Sequence, residues 1–222
     1  GLSEQADVLT VDFPGHGQSG EPPVPWGVPE YAGQIAGLLE SLSIAKVRVV
    51  AHSFGGRVAV YLASHRPEMV EQMVLTGAAG IRKPLTETQK KRQARFKRMN
   101  AILNALKRLR LLRAMVERWQ AALRRRYGSA DYARLNENMR RTFSKVISQD
   151  LYPFLKDIQA PTLLVWGSED TETPLWMGEQ MEKAIPDAGL VVFEGRTHFA
   201  FIEEWQRFLT IVRQFFWGGQ TA

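Results

Sequence analysis

Short apolar runs alternate along this chain with longer stretches in which apolar residues recur every three or four positions. The apolar, β-prone runs lie at 8–11, 46–50, 73–75, 162–166 and 189–193. A helical stretch follows the second run, and an amphipathic one follows the loop after the last run. Strands that alternate with helices pair in parallel and need helices over both faces of the sheet. The pattern therefore predicts an α/β fold with a mostly parallel sheet.

One long stretch, 86–126, interrupts this alternation. It lacks Gly and Pro, and its apolar residues recur at helical spacing. The positions that define the spacing are Phe96, Met99, Leu103 and Leu106. The stretch therefore predicts two or more amphipathic helices inserted between the strand runs on either side of it.

The length and composition fit one core domain with an insertion. At 222 residues and 45% hydrophobic content, the chain can bury a sizeable core. We predict a first part of the core at 1–81, a helical insertion at 82–150, and a second part of the core at 151–222.

The insertion carries the whole basic excess of the chain. Between Arg82 and Arg141 there are 19 Lys and Arg against 4 Asp and Glu, a local charge of +15. The remaining residues must then sum to −9, because the chain carries +6. The charges either form a solvated outer face or attract an anionic lipid surface, an acidic carrier protein or another polyanion. The candidate cations are Lys90, Lys91, Arg92, Arg95, Lys97, Arg98, Lys107, Arg108, Arg110, Arg124, Arg125 and Arg126. No nucleic acid is expected, since the segment has no recognisable binding motif and few aromatic residues.

The hexapeptide Ala-His-Ser-Phe-Gly-Gly at 51–56 carries the first candidate chemistry. It stands between a predicted strand and a predicted helix, where a sharp turn would expose the hydroxyl of Ser53. Such a turn needs small residues two before and two after the serine, and Ala51 and Gly55 occupy these positions. Ser53 is therefore a candidate nucleophile. The alternative is that its hydroxyl only caps the helix that follows.

A nucleophilic serine needs a base and an acid that orients the base, and in this setting the acid precedes the histidine in the sequence. Asp170 lies in the loop that follows the run at 162–166, and His198 lies in the loop after 189–193. We predict that Asp170 orients the base and that His198 is the base. The alternatives are a turn or capping aspartate and a packed loop histidine.

These motifs resemble the α/β-hydrolase family along nearly the whole chain. The matching segments are 8–19, 51–56, 166–170 and 197–199. The resemblance implies a serine hydrolase that cleaves a small or medium ester, or a related acyl substrate, through an acyl-Ser53 intermediate. It also implies a helical lid at the insertion, an oxyanion bound by the backbone N–H of Phe54, and ordering of the first loop by Asp12 and His16.

The same resemblance implies that strands are missing. In the family a strand upstream of the one at 8–11 carries a loop with the second oxyanion donor, and this donor is not in the chain. We expect the chain to be a fragment. Two alternatives stay open: the strands at 8–11 and 46–50 pair directly, or a partner chain supplies the missing strand. Exposed strand edges would also allow self-association.

The sequence supports neither a cofactor nor a metal site. It has no cysteine, no metal-ligand spacing and no phosphate-binding loop pattern. No run of 18 apolar residues is present, so the sequence predicts no membrane-spanning helix. We expect a cytoplasmic protein. Because we expect the natural N-terminus to be missing, the question of a signal peptide stays open. The rival functions are a non-catalytic binding protein that uses the pocket or the basic insertion, and a truncated inactive fragment.

Overall fold

The computed structural model describes residues 1–82, 87–106, 115, 119 and 135–218. The chain divides into two compact units, one formed by Gly1–Arg82 with Ser144–Ala222 and the other by Lys83–Phe143. The predicted cations Lys107, Arg108, Arg110, Arg124, Arg125 and Arg126 lie outside the described residues.

The first unit contains a four-stranded parallel sheet in its described residues. The strands are β1 Val47–His52, β2 Val70–Thr76, β3 Thr162–Gly167 and β4 Ala188–Phe193, and they pair in this order. His52 pairs with Thr76, and Thr76 pairs in turn with Val165. The C-terminal ends of these strands therefore lie at one edge of the sheet.

Seven helices accompany the strands in the described part of the chain. They are α1 Val28–Ser41, α2 Phe54–His65, α3 Glu87–Leu106, α4 Glu137–Ser148, α5 Trp176–Ala184, α6 Ala200–Glu203 and α7 Trp205–Trp217. Short 3-10 helices occupy Leu2–Glu4, Pro67–Met69 and Tyr152–Asp157.

Successive side chains of the strands contribute to two separate hydrophobic cores, one on each face of the sheet. Leu75 and Trp166 belong to a core built with α1, α2 and α5, whereas Val74 and Val165 belong to a second core with Phe216 of α7. Successive side chains of a strand point to opposite faces, so a central strand with both faces covered is apolar at nearly every position. All six residues of β3 are buried. This explains why the sequence of β3 shows a continuous apolar run rather than an alternating one.

The predicted strands at 46–50, 73–75, 162–166 and 189–193 are confirmed, but the strand at 8–11 is wrong. Residues 7–13 form no strand, and the side chains of Val8 and Leu9 are about half exposed. The direct pairing of this segment with β1 that the sequence left open therefore does not occur. An extended apolar segment becomes a strand only where a neighbour takes its backbone hydrogen bonds, and no described strand pairs with this segment.

Candidate active site

Ser53 stands at the turn from β1 to α2 with φ 49° and ψ −108°. A positive φ is unfavourable for a residue with a Cβ, so the surrounding bonds must hold it. Its N–H donates to the carbonyl of Thr76, and its carbonyl accepts from Gly56 and Ala79, each at 3.1 Å. The hydroxyl makes no capping hydrogen bond, although Ser53 is the N-cap residue of α2. The capping alternative therefore does not account for this serine.

Asp170 follows β3 and is fully saturated with hydrogen bonds. Its side chain is 0% exposed. Oδ1 accepts the N–H groups of Glu172 and Thr173 at 2.9 and 2.8 Å. Oδ2 lies 2.8 Å from both Thr173 Oγ1 and His198 Nδ1. A carboxylate has about four lone-pair sites, so all of them are occupied and the group is fixed in place.

His198 follows β4 and presents one ring nitrogen for chemistry. Because the carboxylate of Asp170 can only accept, Nδ1 of His198 carries the proton that it donates at 2.8 Å. In the neutral ring Nε2 is then unprotonated and is the atom able to act as a base. No hydrogen bond joins Ser53 Oγ to His198 in the described residues. The structure therefore pairs the predicted base with the predicted acid, but not the base with the serine.

The end of β2 links Ser53 to the Asp170–His198 pair. The carbonyl of Thr76 accepts the N–H of Ser53, and the carbonyl of Gly77 lies 2.9 Å from Thr173 Oγ1. One strand end thus contacts the turn of Ser53 on one side and the acid loop on the other.

The acid loop and the histidine loop contact each other through their backbones. The N–H of Glu169 donates to the carbonyl of Arg196 at 2.9 Å. A Cβ on Gly167 would lie 2.2 Å from the carbonyl oxygens of both Arg196 and Thr197. Only glycine allows this approach, which fixes the spacing of the two loops.

His52 packs directly on the candidate base. The rings of His52 and His198 have centroids 4.5 Å apart, and Phe201 contacts the His52 ring at 4.7 Å. Nδ1 of His52 lies 3.0 Å from the carbonyl of Thr76, so this nitrogen carries the proton. Burial, and then the neighbouring charge of protonated His198, lower the pKa of His52 below 6.5. Two charged imidazoles so close would repel each other.

The backbone N–H of Phe54 is available to a ligand. Phe54 is the first residue of α2, so its N–H has no intrahelical acceptor. No other acceptor takes this N–H in the part of the chain that the structure describes. The ring of Phe54 packs against His16 at 5.1 Å in a stacked contact and against Tyr31 at 5.1 Å edge-on. His16 therefore connects the first loop to the turn of Ser53.

Asp12 orders this same loop. Its Oδ2 accepts the N–H of Gln18 at 2.9 Å, and its carbonyl accepts the hydroxyl of Ser19 at 2.7 Å. Both contacts lie within the loop, in keeping with the ordering role that the resemblance implies.

Sequence reasoning missed Thr173. A threonine in a loop looks like any polar loop residue, yet its hydroxyl lies within 3.2 Å of His198 Nδ1 as well as close to Asp170 and Gly77. The available signal was its position three residues after an aspartate, a spacing at which side chains of aspartate accept backbone N–H groups.

The described residues hold no group of three or more His, Asp or Glu side chains placed to bind a metal ion. Among them, no helix has the length and apolar character needed to cross a membrane.

Known proteins resemble this chain in sequence and in structure. The profile of the alpha/beta hydrolase fold matches residues 1–204. A 2-hydroxy-6-oxononadienedioate/2-hydroxy-6-oxononatrienedioate hydrolase of Burkholderia vietnamiensis is 30% identical over 224 residues, which cover 94% of this chain and 75% of that protein. A 2-hydroxymuconate semialdehyde hydrolase of Pseudomonas putida is 29% identical over 223 residues, 96% of this chain and 78% of that protein.

The same likeness extends to solved structures. A meta-cleavage product hydrolase from Pseudomonas fluorescens matches with a TM-score of 0.64 and 25% identity, over 94% of this chain and 79% of that one. These three relatives are hydrolases, and the family resemblance inferred from the motifs is confirmed. The chain belongs to the alpha/beta hydrolase fold family.

Proposed function

We propose that the chain is a serine hydrolase that attacks an acyl carbonyl with Ser53 and forms an acyl-serine intermediate. The observation that carries this proposal is the 2.8 Å hydrogen bond between His198 Nδ1 and the fully buried Oδ2 of Asp170. A buried, saturated carboxylate that fixes the tautomer of a loop histidine has the arrangement that a general base requires. The strained, uncapped serine at the neighbouring strand end supports the same conclusion.

In the proposed mechanism, His198 Nε2 removes the hydroxyl proton as Ser53 Oγ attacks the carbonyl carbon. Asp170 stabilises the imidazolium that forms. The free N–H of Phe54 donates to the developing oxyanion, at the end of a helix whose N-terminal dipole favours negative charge. The imidazolium then returns its proton to the leaving group. Water hydrolyses the acyl-Ser53 ester by the same steps and releases a carboxylic acid. A second oxyanion donor stays a prediction.

Two bond types fit this chemistry. The first is the ester, or related acyl bond, of a small or medium substrate. The second is a carbon–carbon bond next to a ketone, and the names of the relatives favour it. A 2-hydroxy-6-oxo dienedioate offers an electrophilic 6-oxo carbonyl but no ester, so its hydrolysis must add hydroxide at that carbon and a proton at the departing one. The conjugated dienol of such a substrate would stabilise the negative charge that leaves.

We also infer that the insertion predicted at 82–150, most of which forms the unit Lys83–Phe143, is a lid. Its position in the sequence supports this role, because it interrupts the first unit between β2 and β3. Substrate choice in such folds depends on inserted segments and pocket residues rather than on the catalytic groups.

Active-site labelling tests the proposal. A fluorophosphonate reacts with an activated serine, so the wild-type chain should gain the mass of one adduct. Ser53→Ala should gain none. Ser43→Ala is the matched control, because Ser43 is the other non-glycine residue with a positive φ in the described chain, at 57°, and it should label like the wild type. A folded wild type that gains no adduct, or that keeps its adduct in Ser53→Ala, would contradict the assignment of Ser53.

The bond type is tested by turnover. A panel of short p-nitrophenyl esters reports ester hydrolysis, and a 2-hydroxy-6-oxo dienoate reports carbon–carbon cleavage through the loss of its conjugated absorbance. Turnover that disappears in Ser53→Ala identifies the bond. If both substrates are bound without turnover and binding survives in Ser53→Ala, a non-catalytic binding protein is the better description.

A further inference from the structure

The helix α3, Glu87–Leu106, is covered with positive charge. Its cations are Lys90, Lys91, Arg92, Arg95, Lys97 and Arg98, and Glu87 is its single acidic residue. Each of the six side chains is exposed. Lys90 forms an ion pair with Glu87 at 2.7 Å. Within the described residues, no acidic side chain lies at ion-pair distance from Lys91, Arg95, Lys97 or Arg98.

These unpaired cations lie on the exposed side of α3. Leu103 is 8% exposed and marks the buried side of the helix. At 3.6 residues per turn, Arg95, Lys91 and Arg98 lie about 80°, 120° and 140° from Leu103 around the axis, all in the same direction of rotation. Lys97 lies about 120° from Leu103 in the opposite direction. Ile102 lies about 100° from Leu103 in the same direction as Arg95, Lys91 and Arg98, and it is 61% exposed. One face of the helix thus presents three cations together with a large apolar side chain.

The same unit exposes further large apolar residues. Met115 is 45% exposed and Trp119 is 58% exposed. A soluble partner with only negative charge would pair with the cations and leave these apolar groups in water. The boundary of an anionic bilayer satisfies both, because lysine and arginine reach the headgroups while apolar and tryptophan side chains enter the acyl boundary.

The two units carry opposite net charges, which favours binding to an anionic surface through the second unit. Lys83–Phe143 contains 18 Lys and Arg against 4 Asp and Glu, which gives +14. The remaining residues must sum to −8, since the whole chain carries +6. An anionic surface therefore attracts the second unit and repels the first.

We propose that the exposed cationic face of α3, with Ile102 beside the cations, docks this protein on the surface of an anionic lipid bilayer. The attraction comes from acidic headgroups such as phosphatidylglycerol. This interaction is independent of the chemistry proposed for Ser53. Because the contact is largely electrostatic, it weakens as salt shortens the distance over which charges act.

Co-sedimentation with vesicles tests the proposal. The 222-residue chain is mixed at low salt with vesicles of phosphatidylcholine containing phosphatidylglycerol, and separately with pure phosphatidylcholine. We expect binding to the first and little to the second, with loss at high salt. The variant Lys91→Gln/Arg95→Gln/Arg98→Gln should partition roughly 100-fold more weakly, at about the contribution expected of three cations near a charged surface.

The matched control changes the same charge on the other unit. Lys46→Gln/Lys156→Gln/Lys183→Gln replaces three exposed lysines of the first unit and lowers the net charge from +6 to +3, as the α3 variant does. It should bind vesicles like the wild type. Circular dichroism and thermal melting of both variants verify that they fold.

Three results would overturn the proposal. The first is no binding of the folded wild type to anionic vesicles at low salt. The second is equal weakening by the two triple variants, which would show that net charge alone matters. The third is failure to bind vesicles together with salt-sensitive binding of polyglutamate or single-stranded RNA, which would assign the face to a soluble polyanion. An Ile102→Ser variant that binds more weakly at equal charge would support the apolar contribution.

Discussion

Thr173 has a single hydroxyl proton and two acceptors within reach. Its Oγ1 lies 2.8 Å from Asp170 Oδ2 and 2.9 Å from the carbonyl of Gly77, and 3.2 Å from His198 Nδ1. We predict that Thr173→Val lowers kcat about tenfold, because Asp170 loses one of the four bonds that hold it against His198. Steady-state kinetics on the best substrate of the panel measures this.

Thr173→Ser is the control for that variant. It keeps the hydroxyl and should retain most of the activity, whereas a role in packing alone would make serine, which lacks the methyl group, worse than valine. The Thr173→Val chain should also unfold more easily by about 1–3 kcal/mol, since loss of the hydroxyl leaves a buried acceptor without a donor.

His52 makes stability depend on pH. Burial and protonated His198 lower the pKa of His52 below its ordinary 6.5, so the unfolded chain binds the proton more readily than the folded chain does. The contribution of His52 to the free energy of unfolding is therefore fully present above about pH 6.5, the pKa in the unfolded chain. It is lost as the pH falls through the lower pKa of His52 in the folded chain. Between about pH 7.5 and about pH 5, the melting temperature of His52→Gln should therefore fall less than that of the wild type.

Glutamine can still donate to the carbonyl of Thr76, which accepts from His52 Nδ1 at 3.0 Å, but it does not titrate. Loss of stability from other groups at low pH is common to both proteins. Equal falls in the melting temperature of the two chains would show that His52 is not responsible.

At the level of elements, the tightest contact at the turn from β1 to α2 is made by Gly56. Gly56 follows Gly55, which is the small residue that the sequence motif requires. A Cβ on Gly56 would lie 2.4 Å from Ala78 Cβ and 3.0 Å from Ala78 Cα, whereas one on Gly55 would meet only Ala51 Cβ at 3.7 Å. We predict that Gly56→Ala destabilises the fold by about 1–3 kcal/mol, because α2 must move away from the end of β2.

Gly55→Ala is the matched control for this prediction. The new methyl group makes an ordinary contact, and alanine favours the helix over glycine by up to about 1 kcal/mol. Urea unfolding of the two variants should therefore separate them, with Gly55→Ala at or above the wild-type stability. Equal stability of the two would mean that the backbone at Ala78 yields without cost.

The sequence predicts strands and helices well where residues close together in the sequence determine them. β3 and the start of α2 follow from a continuous apolar run and from small residues at a turn, and both lie where the sequence places them. Residues 8–11 show why an apolar run is not sufficient, since a strand also needs a neighbour for its backbone. The sequence also brings Asp170 and His198 forward as candidates, because each follows a strand end. The contacts of Thr173 and His52 could not be predicted, since they depend on how four loops meet at one edge of the sheet.

At the level of the whole molecule, the sheet ends in a strand that is free on one side. Within the described chain, β1 pairs with β2 alone. Its outer backbone groups can pair with another chain, and Val50 at its centre is 42% exposed. Natural sheets block such an edge with charge, most often a lysine. In β1 the one cation, Arg48, is already engaged with Glu71 at 2.7 Å.

We therefore predict that the chain self-associates through β1 as its concentration rises, and that Val50→Lys shifts it toward the monomer by placing a charge on the free strand. Sedimentation velocity at several concentrations measures the association. Leu42→Lys is the control, because Leu42 is 49% exposed just after α1 and the substitution adds the same charge away from the edge. Association that weakens equally in both variants would point to net charge rather than to strand pairing. A wild type that stays monomeric at every concentration would show that the twist of β1 and the side chains around it already protect the edge.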